Sequence, residues 1–306
     1  MKRKTSYETI SSYMTETLRA AMERVSEKDR QGLTDICLYC GRPPAFVSPG
    51  RIRYLKADGT LMTSGRSGSL LNVSKSDLKT IVSALAQHSV HTCDRELRQG
   101  FFNLPGGIRV GVAGVYTSGG ILKDWNALDF RFASAFHGCA DKIYPRMLGS
   151  RRGLLICGSV NSGKTTMIRE LCRLCGDQER VSLIDERGEI SAICEGEPQF
   201  DIGLLTSVIS GISRSRGIVS AVRTLSPSMI FCDELASVED AEAVNEGSGC
   251  GVRFAATMHA RDMEQLLSRR TGRMLIEAGA FDTAVFLEGS SSPGKIRDIH
   301  IIDNAS

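Results

Sequence analysis

The stretch Gly158-Ser159-Val160-Asn161-Ser162-Gly163-Lys164-Thr165-Thr166 decides the fold of this 306-residue chain. It contains the pattern G-x-x-x-x-G-K-[ST] of a phosphate-binding loop. A strand-sized apolar run, Leu154–Cys157, precedes it, and a helical pattern over Lys164–Leu174 follows. In this setting backbone N–H groups point at phosphate oxygens, and the helix adds its positive N-terminal end. The sequence therefore predicts a nucleotide triphosphatase of the P-loop class whose nucleotide-binding residues are the whole stretch from Gly158 to Thr166.

Two side chains of this loop have specific predicted roles. Lys164 is expected to bridge the β- and γ-phosphates, and the Thr165 hydroxyl to bind Mg²⁺. ATP and Mg²⁺ are therefore the expected cofactors. The plainer alternative, that Lys164 is an ordinary surface lysine, is disfavoured by the strand and helix that flank the loop.

A second apolar run, Met229–Cys232, ends in the carboxylates Asp233 and Glu234. Asp233 is predicted to hold the hydrated Mg²⁺, and Glu234 to polarise the attacking water. A solvated helix cap would also explain an Asp-Glu pair, but the P-loop upstream favours the functional interpretation.

Two more apolar runs end in polar residues. Val181–Ile184 leads into Asp185-Glu186-Arg187-Gly188-Glu189, in which Asp185, Glu186 or Glu189 is a candidate to share the catalytic role. A salt-bridged surface turn is the alternative there. Phe254–Thr257 ends near His259, and Thr257 or His259 is predicted to sense the γ-phosphate or its water. Since a lone histidine is often structural, the position at a strand end carries this prediction.

The whole second half alternates apolar strands with helices, which predicts right-handed crossovers and a parallel sheet. Further helices are expected over Val238–Asn245 and Asp262–Ile276, and a terminal hairpin over Thr283–Glu288 and Ile296–Ile302. The domain boundary is predicted near Leu148–Arg152. The P-loop ATPase domain is accordingly 149–306.

The first half has a different pattern, predicted as a helical segment over 1–30 and an α+β domain over 31–148. The helical segment carries one apolar stripe, formed by Ile10, Met14, Leu18, Met22 and Val25. In the α+β domain, short strands and turns are expected over 33–73, a helix from Ser74 through His88, a hairpin over Gln99–Tyr116 and a loop ending at Ile121.

Composition narrows the function classes. Lys+Arg 38 against Asp+Glu 35 leaves a net charge of +3, too balanced for nucleic acid as the default partner. No run approaches the roughly 20 apolar residues of a membrane span, and the basic start lacks the apolar stretch of a signal peptide, so a cytosolic location is expected. The Cys37/Cys40 and Cys172/Cys175 spacings are better explained as buried cysteines than as a zinc site.

Taken together, these motifs resemble the stage III sporulation protein AA family, a relative of the type II/type IV secretion and pilus-retraction ATPases. The first-half resemblance lies in Cys40-Gly41-Arg42-Pro43, Arg95-Glu96-Leu97-Arg98-Gln99-Gly100-Phe101 and the run from Leu104 to Gly114. The second-half resemblance lies in Ser162–Thr166, Asp185–Ile190, Asp233-Glu234 with Glu239–Ala243, and Ala256–Ala260.

The resemblance implies more than the residues do alone. It implies a RecA-like ATPase domain that assembles as a ring, expected to be a homo-hexamer. It matches Asp185–Glu189 to an acidic box with catalytic carboxylates, His259 to a histidine box, and Arg131 to an inter-domain arginine that touches nucleotide. The implied role is to power a membrane-embedded, secretion-like channel during endospore formation, docked on the cytoplasmic, mother-cell side.

The chain departs from that family between Thr206 and Gly217, where an Asp, Cys and Pro pattern is expected and none is present. The role of this segment, expected to be a loop, is therefore open. Also open is which arginine stabilises the transition state in trans; the candidates are Arg95, Arg98, Arg109, Arg131, Arg214, Arg216 and Arg223.

Two other functions compete with the motor. A GTPase would carry an [N/T]-K-x-D motif after the P-loop, and the sequence has none. An ATP-switched module that binds single-stranded nucleic acid would need a basic groove with exposed aromatics. With 6% aromatic residues and no dense basic run, the chain favours the motor.

Overall fold

The computed structural model describes residues 5–66, 70–87, 100–117, 122–132, 137–194 and 196–302. By their internal contacts, the residues form two compact units, 1–134 with 192–199 and 135–191 with 200–306. This division lies earlier than the boundary predicted near Leu148–Arg152. The reason is that Ala140, Ile143 and Met147 are fully buried in the core of the second unit.

The first unit is built on an antiparallel sheet of seven strands in the order β4-β3-β2-β1-β7-β6-β5. The strands are β1 (Asp35–Tyr39), β2 (Ala45–Ser48), β3 (Arg51–Leu55), β4 (Leu61–Met62), β5 (Phe101–Leu104), β6 (Ile108–Tyr116) and β7 (Leu122–Arg131). The helices described in this unit are α1 (Ser6–Ser12), α2 (Glu16–Glu23), α3 (Glu27–Arg30) and α4 (Lys75–Gln87).

The described part of the segment 1–30 is helical, and its predicted apolar stripe packs on the core of the first unit. All five stripe residues are buried in one core with the sheet, so the segment belongs to the first unit. The segment consists of three short helices because Thr15 and Ser26 adopt extended backbone and begin new helices.

The other predictions for this unit agree with the structure where the described residues cover them. The hairpin over Gln99–Tyr116 is confirmed by the pairing of β5 with β6. Ser74 begins α4 as expected, since its hydroxyl accepts a hydrogen bond from the backbone N–H of Asp77 at 3.0 Å. The expected helix end at His88 and most of the loop ending at Ile121 lie outside the described residues.

The second unit is a three-layer α/β structure with the strand order β10-β9-β11-β12-β8-β13-β14. Its strands are β8 (Gly153–Cys157), β9 (Val181–Asp185), β10 (Thr206–Ser210), β11 (Met229–Cys232), β12 (Arg253–Met258), β13 (Thr283–Leu287) and β14 (Ile296–Ile301). Its described helices are α5 (Tyr144–Gly149), α6 (Lys164–Gly176), α7 (Arg214–Leu225), α8 (Val238–Gly249), α9 (Met263–Ser268) and α10 (Arg270–Glu277).

Two apolar cores cover the two faces of this sheet. Along β8, Leu155 and Cys157 enter one core with α7 to α10, whereas Leu154 and Ile156 enter the other with α6. The strands β8 to β13 pair with one another in parallel, which confirms the predicted parallel sheet, and β14 pairs antiparallel with β13. The carboxyl ends of β8, β9, β11 and β12 therefore meet at one edge of the sheet.

Two sequence expectations fail in this unit. The segment Thr206–Gly217 is not a loop: it forms the edge strand β10 and the first turn of α7. Its pattern was weak because the side chains of an edge strand are only partly buried. The helix expected over Asp262–Ile276 is two helices, because Arg269 adopts extended backbone.

No helix in the described ranges has both the length and the hydropathy needed to cross a membrane.

The close approach of β8 to β12 yields a first prediction. A Cβ atom at Gly153 would lie 2.3 Å from the backbone oxygen of Phe254, so Gly153→Ala must force the two strands apart. We expect a loss of about 1–3 kcal/mol in the free energy of unfolding, measured by urea denaturation. Gly149→Ala is the matched control, since a Cβ atom there meets nothing within 4 Å. Equal stability of the two variants would contradict this packing.

Candidate active site

The phosphate-binding loop lies between β8 and α6, as predicted. Gly163 has a φ of 92°, and a Cβ atom at this position would lie 2.6 Å from the backbone nitrogen of Gly294. Gly294 belongs to the turn between β13 and β14, and its N–H donates to the carbonyl of Ser162 at 2.7 Å. The far end of the chain therefore supports the loop from one side, a contact that no local pattern announces.

Lys164 is enclosed within this loop. Its ammonium donates to the carbonyl of Ser159 at 2.8 Å and lies 3.4 Å from Nδ1 of His259. Burial lowers the pKa of Lys164, and the carboxylates of Asp233 and Glu234 oppose that shift. A buried ammonium that faces a peptide carbonyl would gain from a phosphate oxygen as its acceptor, because charge-assisted hydrogen bonds are stronger.

Asp233 joins three elements at the sheet edge. Thr165, on the first turn of α6, donates its hydroxyl to Oδ2 of Asp233 at 2.9 Å. Thr257, at the end of β12, donates to Oδ1 and accepts the backbone N–H of Glu234 at 2.7 Å. Burial raises the pKa of Asp233, whereas the hydroxyls of Thr257 and Thr165 lower it.

This arrangement fits a divalent cation. The hydroxyl of Thr165 and the carboxylate of Asp233 are hard oxygen ligands within hydrogen-bonding distance of each other, the ligand type that Mg²⁺ takes. The two residues predicted to hold Mg²⁺ are therefore adjacent at the mouth of the phosphate-binding loop.

Glu234 has both carboxylate oxygens engaged. Oε1 lies 3.0 Å from Nε2 of His259, and Oε2 lies 2.9 Å from Nη1 of Arg187. The φ of Glu234 is 54°, in the left-handed region that side chains other than glycine rarely adopt. Such strain is held by surrounding contacts and is typical of functional sites. His259 thus connects Glu234 to Lys164, so both predicted sensors touch the predicted catalytic residues.

The acidic box is placed at the same edge, but its first two carboxylates have other partners. Asp185 is buried and accepts hydrogen bonds from the backbone of Glu189, Ile190 and Ser191 at 2.9, 3.2 and 2.8 Å. Glu186 pairs with Arg214 of α7 at 2.9 Å. Asp185 therefore closes its own turn and Glu186 contacts α7, and the catalytic role of either carboxylate stays a prediction.

The arginine candidates are dispersed. Arg131 lies in the first unit, where its Nε is 3.1 Å from Oδ1 of Asp35. Arg109 stacks over the ring of Phe101 in the same unit. Of those in the second unit, Arg214 holds Glu186, and Arg216 and Arg223 are exposed on α7. Arg95 and Arg98 lie outside the described residues.

Sequence reasoning missed two supporting arginines. Arg187 contacts Glu234, and Arg169 of α6 donates to the carbonyls of Glu189 and Ile190 at 2.6 and 2.8 Å. Arg187 lies inside the acidic box, and its position beside predicted catalytic carboxylates could have identified it as a candidate site residue. For Arg169, nothing local distinguishes it from other arginines on a helix.

Solved structures of similar fold support the architecture. The X-ray structure of the Legionella pneumophila ATPase DotB has a TM-score of 0.56 at 16% identity, covering 85% of this chain and 73% of DotB. The crystal structure of the pilus retraction motor PilT with bound ADP has a TM-score of 0.57 at 17% identity, covering 84% and 74%. These likenesses confirm the predicted α/β fold with a RecA-like domain.

The sequence comparisons cover nearly all of the chain. The stage III sporulation protein AA of Bacillus subtilis is 27% identical over 302 residues, which are 95% of this chain and 94% of that protein. A family model described as "Sporulation stage III, protein AA" matches residues 2–304. The resemblance seen in the motifs therefore extends over both units, and the chain belongs to the sporulation stage III, protein AA family.

Proposed function

We propose that this chain is an ATP-hydrolysing motor of the secretion-ATPase type that energises a membrane-associated, secretion-like channel during endospore formation. The observation that carries the proposal is one bonded cluster at the sheet edge. Lys164, Thr165, Asp233, Glu234, Thr257 and His259 are joined by the contacts described above.

Nucleotide binding follows from the loop and its lysine. The backbone of Gly158–Thr166 and the N-terminus of α6 would cradle the phosphates, and Lys164 would exchange the Ser159 carbonyl for a phosphate oxygen. Thr165 and Asp233 would hold Mg²⁺, which, when bound, neutralises charge on the phosphate oxygens.

Hydrolysis needs a group that orients and polarises water. Glu234 follows the Asp233 strand end and has a carboxylate oriented by two neighbours, which suits this role. Thr257 contacts both Asp233 and the backbone of Glu234, so a change at the Mg²⁺ site would reach the base directly.

The assembly belongs to the same proposal. DotB and PilT are described as an ATPase and a pilus retraction motor, and their fold likeness supports a motor that acts on a larger complex. We propose a homo-hexamer on the cytoplasmic, mother-cell side of a membrane, bound to membrane-embedded channel proteins. Nucleic acid is not part of the proposed role.

The first functional prediction concerns Lys164. Lys164→Ala should weaken ATP binding by about 100-fold, because a charge-assisted contact to phosphate is lost. Isothermal titration calorimetry measures the affinity, and circular dichroism checks the fold. Lys142→Ala, an exposed lysine of the same unit, is the control and should bind ATP normally. Unchanged affinity in Lys164→Ala would refute the P-loop assignment.

The second functional prediction concerns Glu234 as the catalytic base. Glu234→Gln should bind ATP like the wild type but hydrolyse it at least about 100-fold more slowly, because it loses the basic carboxylate. Glu186→Gln should keep most of its rate, since Glu186 contacts Arg214 of α7 and is not one of the residues joined in the cluster around Asp233. Phosphate release under saturating ATP measures both. If Glu186→Gln stalls hydrolysis and Glu234→Gln does not, the base lies in the acidic box.

The third concerns assembly. Light-scattering mass measurement of the full chain with a non-hydrolysable ATP analogue should give the mass of six chains, because nucleotide is expected to join neighbouring subunits. The same measurement without nucleotide is the control. A single-chain mass under both conditions, at concentrations well above those of the activity assays, would contradict the ring.

A further inference from the structure

We infer that Arg187 is a positioning residue that orients the Glu234 carboxylate towards the attacking water. The acidic turn 185–189 would then act on the chemistry through its arginine instead of supplying a base. This inference rests on the proposed ATPase function, and it assigns a role within that site.

Two side chains, Arg187 and His259, each contact one oxygen of the Glu234 carboxylate; we call this pair of contacts the bracket around Glu234. The terminal torsion of a glutamate side chain is broad, so a carboxylate with one partner can still rotate. Here Arg187 engages Oε2 at 2.9 Å, and His259 engages Oε1 at 3.0 Å. With a partner on each oxygen, the plane of the carboxylate is defined. Removing Arg187 leaves His259 as the one remaining partner of this bracket.

Arg187 is itself held on a rigid support. The Asp185 carboxylate accepts three backbone N–H groups from residues 189–191, and the N–H of Gly188 donates to the carbonyl of Asp185 at 3.2 Å. Arg169 binds the carbonyls of Glu189 and Ile190 from the P-loop helix. A positioning group needs such support to hold a catalytic geometry.

Arg187 is too exposed for its ion pair with Glu234 to contribute much to the stability of the fold. The side chain of Arg187 is 57% exposed, and an ion pair so open to water contributes little to folding. The φ of Glu234, 54°, also shows that local backbone preference does not secure this residue. The consequence of losing Arg187 should therefore be seen in the rate of hydrolysis and not in the melting temperature.

The first two carboxylates of the acidic box, those of Asp185 and Glu186, have other partners. The Asp185 carboxylate accepts hydrogen bonds from the backbone of its own turn, and the Glu186 carboxylate lies 2.9 Å from Nη1 of Arg214. Arg187 is thus the residue of the turn 185–187 whose side chain reaches the predicted base. Two other roles for Arg187 make different predictions: a phosphate ligand would lower ATP affinity, and a restraint on Glu234 would raise the rate when removed.

The test is steady-state ATP hydrolysis by the full chain carrying Arg187→Ala or Arg187→Lys, with ATP affinity measured separately. Arg187→Ala should lower kcat by about 10-fold with unchanged ATP affinity and melting temperature, because misorientation of a catalytic group costs rate. Arg187→Lys should recover part of the loss, since it retains the charge without the planar fork. Arg146→Ala, an exposed arginine on α5, is the matched control and should hydrolyse ATP normally.

A double variant tests whether Arg187 acts through Glu234. If it does, Arg187→Ala should add no further loss to Glu234→Gln, because the group it orients is already disabled. Additive losses would overturn the inference. So would an unchanged or raised kcat in Arg187→Ala, or a weakened ATP affinity as its main effect. A wild-type chain that hydrolyses no ATP would refute the proposed function itself, and this inference with it.

Discussion

The arrangement of the site depends on the hydrogen bonds that the Asp233 carboxylate accepts from two threonine hydroxyls. The carboxylate accepts them from the P-loop helix through Thr165 and from β12 through Thr257. Three elements that are distant along the chain are therefore tied at one point. Because burial raises the pKa of Asp233, the carboxylate is costly to keep charged there without these donors or a cation. The same two oxygens thus join three elements of the second unit and would be ligands of the proposed cation.

Around this point, the polar groups form two layers. The inner layer, Lys164, Thr165, Asp233, Glu234 and His259, follows the ends of parallel strands or opens the P-loop helix. The outer layer comes from turns: Gly294 supports the loop, Asp185 closes the acidic turn, and that turn presents Arg187 to Glu234. Strand ends carry the proposed reactive groups, and the turns would set their orientation. Rigid support of this kind is what a catalytic geometry requires.

The predictions succeeded where local pattern and packing agree. Met229–Cys232 is a central strand with all four residues buried, and its limits were predicted without error. The pattern failed where burial is partial or where one residue changes the backbone. The edge strand β10 exposes part of its side chains, and an extended Arg269 divides an otherwise continuous helical pattern.

The sequence by itself determined the P-loop, the parallel α/β sheet and the inner residues of the site. It could do so because a strand-loop-helix motif is local, and because parallel strands bring their carboxyl ends to one edge. Only the tertiary structure shows which partners each of these acids has. Asp185, Glu186 and Glu234 all follow apolar strands, but their partners differ. Asp185 is bound by its own turn, Glu186 pairs with Arg214, and Glu234 pairs with Arg187 and His259. Partners of a carboxylate come from elements far apart in sequence, so only folding reveals that Arg187 and His259 bracket Glu234.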